Sequence, residues 1–278
     1  MKPGTESQTA VMVAAARAAA HDRTDVGAFA DPTALALLPA DVRHRVEQYR
    51  ANVPPDGMRA RLQRHLLEGR AKLMIPRTVA IDAEIRAAAS PQLVLLGAGL
   101  DGRAWRMPEL ADTIVFEVDH PDSQRRKRER AAALAPTARE IRFVPVDFTR
   151  DRLDEALAAA GHDPARATTW LWEGVVMYLA RADIEATLRA VEARSAPGSR
   201  LVILYTSPSL LRTAVGFLLG LIGEPFRSQF TEDQMRALLV RFRFAVDRDD
   251  DLARIAARMG MEPSRLLEDM RIVTATLR

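Results

Sequence analysis

A chain of 278 residues with 40 Lys and Arg against 37 Asp and Glu has a net charge of +3, too weak a global field to gather nucleic acid. Hydrophobic residues at 48% and charged residues at 28% describe a globular protein with a sizeable core and exclude a disordered one. Cysteine is absent, which excludes disulfides, thiolate metal sites and cysteine nucleophiles and is compatible with a cytoplasmic location.

Residues 1–90 show no strand pattern, only helical stretches near 7–20, 31–37, 41–51 and 58–85, punctuated by Pro32, Pro39, Pro54, Pro55 and Pro76. They are expected to form a helical N-terminal lobe that contributes to a substrate and cofactor pocket. Arg17 interrupts the apolar run 10–20 and Glu6 precedes it, which argues against a signal peptide.

Residues 91–278 read as an α/β core. Short apolar runs alternate with helical patterns, the signature of a largely parallel sheet covered on both faces. Strands are expected at 93–96, 113–118, 141–146, 169–171, 201–205, 242–246 and 271–276. Helices are expected at 122–134, 153–160, 182–195 and 232–241, the last opened by Thr231 as N-cap with Gln234 three residues on. The segment 207–231 reads as a cap insertion, and Leu210, Leu211, Phe217, Leu218 and Leu221 hint at a hydrophobic pocket lining. Its apolar part is too short to span a bilayer and carries Arg212. The block Arg125, Arg126, Lys127, Arg128, Glu129 and Arg130 could contact phosphate, but its simpler reading is the solvated face of a crossover helix.

The chemistry centres on "VLLGAGLDGRAWRMPEL", residues 94–110, where Gly97, Gly99 and Gly102 spell a G-x-G-x-x-G. Glycines at a strand-to-helix turn let the backbone approach a ligand closely. A dinucleotide site also needs a long helix after the third glycine, and Pro108 followed by a strand near 113 leaves no room for one. Three successive strands then end in acids: Asp119 in "TIVFEVDHP", Asp147 in "IRFVPVDFT" and Glu173 in "TTWLWEGVVMYL". Carboxylates at the carboxyl ends of neighbouring strands suit ribose hydroxyls, an adenine amine and a cationic tail. Asp119 could alternatively cap the next helix, and Asp147 could alternatively close an Asx-type turn. Glu117 belongs to its strand.

In order and spacing, these segments together with "AAARAAA…ADPTALALL" resemble the S-adenosylmethionine-dependent methyltransferases of the leucine carboxyl methyltransferase type, a family that includes polyketide carboxyl O-methyltransferases and actinobacterial members. The resemblance implies a Rossmann-like class I methyltransferase sheet of seven mostly parallel strands, the last antiparallel, with S-adenosyl-L-methionine as cofactor. It implies that Gly97 and Gly99 line the cofactor, that Asp119 meets the ribose, and that Asp147 with Phe148 lies near the adenine. Glu173 would face the methionine portion, and Arg77 in "MIPRTVAID" would meet the methionine carboxylate, although a helix-surface arginine is the plainer alternative. One departure stands out: the family usually reads "GLDTR" where this chain has "GLDGR", so Gly102 replaces a hydroxyl-bearing residue.

The expected reaction is methylation of a carboxylate on a small, hydrophobic, polyketide-like acceptor, with Arg77 and Tyr178 as catalytic candidates and Arg17 as a further group able to orient acceptor or cofactor. A carboxylate acceptor needs no general base at neutral pH. The five histidines, His21, His44, His65, His120 and His162, show no metal-ligand spacing, so no metal is expected. Neither a nucleic-acid nor a membrane partner is expected. A non-catalytic binding protein of the same fold and an NAD(P)-dependent reductase are the alternative readings.

Overall fold

Alternation along the strands decides which way each side chain faces. In β1 (Gln92–Leu96), Leu93 and Leu95 join one buried cluster while Val94 and Leu96 join another on the opposite side of the sheet. The computed structural model describes residues 7–209, 226–262 and 264–278.

Seven strands form one sheet in the order β3-β2-β1-β4-β5-β7-β6. These are β1, β2 (Ile114–Asp119), β3 (Glu140–Pro145), β4 (Thr168–Trp172), β5 (Arg200–Thr206), β6 (Phe244–Asp251) and β7 (Met270–Leu277). The five strands from β3 to β5 run parallel, and β7 is antiparallel to both its neighbours. Strand order reverses between β1 and β4, which opens a crevice at their carboxyl ends where such sheets bind ligands.

The first face is covered by α1 (Gln8–Ala20) and α3 (Gly57–Ala88), whose Val11, Ile75, Ile81 and Ile85 share a cluster with Leu93, Leu95, Val115 and Val202. The second face is covered by helices α6 (Leu153–Ala159), α7 (Arg181–Ala193) and α8 (Glu232–Arg241), which pack Leu157, Leu188 and Leu238 against Phe116, Trp170 and Ile203. Each fully buried leucine or isoleucine contributes about 1.5–3 kcal/mol, so these layers hold the sheet rigid beneath the crevice.

The expected capping box forms as read: the Thr231 hydroxyl accepts from the Gln234 N–H, and the Gln234 side chain accepts from the Thr231 N–H at 3.0 Å. Three expectations are corrected. The stretch 31–37 is a series of turns: Asp31 caps its start by accepting from the Ala34 N–H (3.0 Å) and also accepts from the Thr33 hydroxyl (2.9 Å), but Arg43 takes the Ala36 carbonyl (2.6 Å) and Pro39 has no N–H to continue a helix. Strand β6 continues to Asp251 through "DRDDD" because its acids find partners: Asp249 accepts from Tyr205 and Arg271, and Asp250 from Arg258. In α5 (Pro121–Ala131) the charge block is not wholly solvated, since Lys127 turns inward to Glu117 at 2.8 Å, 5.2 Å from the Trp105 ring. Of the expected cap insertion, residues 210–225 with Leu210, Leu211, Phe217, Leu218 and Leu221 lie outside the described residues.

Candidate active site

The loop after β1 turns on Gly97. Its φ is +74°, and a Cβ there would lie 2.2 Å from Val175 Cγ2, so both the conformation and the space require glycine. The Gly97 and Ala98 N–H groups both donate to the Val118 carbonyl, which ties the loop to the end of β2. The helix that follows, α4 (Arg103–Arg106), lasts four residues before Pro108 opens a 3-10 turn, so the long helix of a dinucleotide site is absent.

Asp119 closes β2 directly beside this loop. Its carboxylate accepts from the Gly99 N–H at 2.5 Å and from the His120 N–H at 2.6 Å. Burial raises its pKa despite these bonds. Asp119 is not the cap of α5; the His120 ring takes that part by accepting from the Asp122 N–H. Asp147, just past β3, accepts from both the backbone and the hydroxyl of Thr149 at 2.9 and 2.7 Å, the Asx-type turn that was its alternative reading. Phe148 packs against the second cluster.

Glu173 follows β4 across the crevice and is held by two guanidiniums. Arg77 Nε, from the carboxyl half of α3, donates to it at 2.5 Å, and Arg103 Nη1 donates at 2.7 Å. Burial disfavours its charge, but Arg77 and Arg103 outweigh that and hold its carboxyl far below the usual range. The plainer alternative for Arg77 falls: it is buried at the crevice rather than on a helix surface.

Arg103 is the hub that sequence reasoning missed. It is fully buried, donates to Asp82 at 2.7 Å, and is also bound to Asp101. Arg106 binds Asp82 at 2.7 Å and approaches Asp31 at 3.7 Å, and Arg17 from α1 meets Asp31 at 3.7 Å. Four arginines thus balance four carboxylates beneath the loop, a matching that makes burial of so many charges tolerable. One available signal was charge inside apolar runs, as with Arg17 in "AAARAAA" and Asp82 in "VAIDAEI".

The network is not closed. Arg17 Nε and Nη1 are buried without a hydrogen-bond partner, as is Arg103 Nη2. A buried guanidinium with idle donors is the feature a ligand carboxylate would satisfy. With the Gly97 loop and Asp119, these residues fit a cofactor that has an amino-acid end and a ribose. Tyr178 stands in the 3-10 turn after β4, its ring 5.6 Å from that of Phe226.

Gly102 has a packing reason. A Cβ there would sit 2.0 Å from the Thr33 hydroxyl and 3.4 Å from Asp31 Oδ1. Thr33 therefore brings to Asp31, from the N-terminal turn, a hydroxyl that a threonine at 102 would bring from the other side.

The sequence of this chain matches the family described as leucine carboxyl methyltransferase over residues 10–192. A Parafrankia protein, provisionally named an S-adenosyl-L-methionine-dependent methyltransferase, is 46% identical over 131 residues, covering 46% of this chain and 42% of its own length. A Frankia alni protein of the same provisional name is 38% identical over 208 residues, covering 72% of this chain and 69% of its own. A Mycobacterium relative is 36% identical, covering 69% of this chain and 64% of its own length. Among solved structures, a DUF574 family protein from Streptomyces avermitilis shares the fold at a TM-score of 0.57 and 13% identity, covering 98% of both chains. The glycopeptide N-methyltransferase MtfA does so at 0.50 and 18%, covering 72% of this chain and 94% of its own. With the glycine loop, the strand-end acids and the matched sequence together, the chain belongs to the leucine carboxyl methyltransferase family, a family of S-adenosylmethionine-dependent methyltransferases.

Proposed function

We propose that this chain methylates a carboxylate oxygen of a small, hydrophobic acceptor, using S-adenosylmethionine as donor. The observation that carries the reading is the glycine loop with Asp119 at the β1–β4 reversal, above an ion network in which buried Arg17, paired to Asp31, keeps idle donors. Bound there, S-adenosylmethionine supplies an electrophilic methyl group on a sulfonium.

Arg17, together with Arg77, holds the carboxylate of the cofactor's methionine end. Glu173 fixes Arg77 and Arg103 and places negative charge on the side of the cofactor's ammonium. Asp119 accepts from the ribose hydroxyls, and Asp147 with Phe148 borders the adenine. Tyr178 orients the acceptor. Holding the acceptor oxygen in line in a dry site supplies most of the rate. Transfer of that methyl group to an ionised carboxylate would need no proton removed and would leave a methyl ester and S-adenosylhomocysteine.

The choice of a carboxylate rests on the absence of an evident base at the crevice among the described residues. His120 uses its ring to cap α5, and His162 is a buried neutral group whose pKa burial and Arg194 lower to about 4. An ionised carboxylate needs no proton removed.

The test is an acceptor screen with purified protein and methyl-labelled donor, followed by mild alkali. Label released as methanol identifies a methyl ester; label that survives alkali identifies an ether or amine and overturns the carboxylate assignment. Failure to bind S-adenosylhomocysteine, with clear binding of NADH, would overturn methyl transfer itself.

A further inference from the structure

The outer face of the amino half of α3 is exposed and has the chemistry of a surface-binding helix. Met58, Leu62 and Leu66 are 87%, 58% and 44% exposed. At about 100° per residue they fall within an arc of about 80°. Ala60, Leu67 and Ala71, which turn toward the protein, lie on the opposite side. The helix thus presents its apolar stripe away from the core, the reverse of a helix that packs by amphipathicity.

The charges complete the pattern. Arg59 and Arg70 flank the stripe on one side, and Arg61 and Lys72 flank it on the other. Over 57–72 the outward cations Arg59, Arg61, Arg70 and Lys72 stand against a single acid, Glu68, 4.0 Å from Lys72, while Arg64 turns inward to the Val53 carbonyl and the Tyr49 ring. An apolar ridge between two cationic rails matches a plane that is anionic at its surface and apolar just below it.

We infer that this half-helix docks on an anionic lipid bilayer, with Met58, Leu62 and Leu66 entering the interface and the arginines meeting lipid phosphates. A second copy of the chain fits less well, since pairing two such helices sets cationic rails against each other. No helix among the described residues is long and apolar enough to cross a membrane, and this surface lies on a bilayer rather than through it. The sequence led to the expectation of no membrane partner, and peripheral docking departs from it.

The test is co-flotation of the full chain with vesicles of phosphatidylcholine alone and of phosphatidylcholine with phosphatidylglycerol. Binding is expected to the anionic vesicles only and to fall as salt is raised. The pairs Leu62→Glu with Leu66→Glu, and Arg59→Glu with Arg61→Glu, should each weaken it about tenfold or more, with unchanged thermal midpoints because all four side chains are exposed. Equal retention on neutral vesicles, or charge reversals that leave binding intact, would overturn the inference. So would a concentration-dependent dimer abolished by Leu62→Glu, which would make the stripe a self-association face.

Discussion

Helix α3 has two halves built for opposite surroundings. The amino half is exposed, cationic and free of core contacts along its outer stripe, while the carboxyl half buries Arg77, Asp82 and Glu84 among Ile75, Ile81 and Ile85. Charge in the first half is solvated and individually worth little to stability; charge in the second is desolvated, and each group depends on its partner. The contrast teaches that the residue type does not set the cost of a charge. The number of partners it retains after burial does.

The sharpest way to break this contrast is Arg103→Met. It leaves Asp82, Asp101 and Glu173 short of their shared cation, and urea unfolding should show a loss of about 3–5 kcal/mol. Arg17→Met removes idle donors and one of the two cations beside Asp31, which keeps Arg106, rather than a hub. It should therefore weaken S-adenosylhomocysteine binding in calorimetry by about 1.5–3 kcal/mol, with a much smaller change in unfolding than Arg103→Met.

Gly102→Thr tests how the N-terminal turn meets the loop. Overpacking against Thr33 should cost about 1–3 kcal/mol, and adding Thr33→Ala should recover part of it, because a hydroxyl then reaches Asp31 from position 102.

A pH series separates Glu117 from the ion network. Burial raises its pKa from 4.5 to about 7 against the pull of Lys127, so the folded state holds that proton more tightly than the unfolded chain. Its contribution is full below about pH 4.5 and is lost as pH rises through about 7. Urea midpoints of Glu117→Gln should accordingly show less decline than the parent between those values. Glu173 and Asp101, with lowered pKa values, act in the other sense and lose their contribution only in more acidic solution. The smallest effect belongs to the outer stripe: Leu62→Gln should change unfolding by less than about 0.5 kcal/mol, and a larger loss would show that the amino half is packed after all.

The sheet was legible in the chain because apolar runs three to six residues long, separated by helical patterns, leave few other folds available. Edges were not: β6 was expected to end before its acids, since nothing local reveals that Tyr205, Arg271 and Arg258 wait for them. At the crevice, Gly97, Asp119 and Glu173 could be picked out because a turn and the ends of strands leave local marks. Arg103, Asp82 and Arg106 could not be joined with Glu173 into one network, since their pairings link residues 21, 24 and 70 positions apart in the chain. Gly102 shows the same division. The sequence marked it as a departure from the family pattern, but its reason, the hydroxyl of Thr33, lies 69 residues away and exists only once the N-terminal turn is packed against the loop. Local propensity and periodicity determined the elements and the strand-end acids of this protein. Which buried charges neutralise one another, and which helix face is left to solvent, is decided by through-space proximity, which no short window of sequence contains.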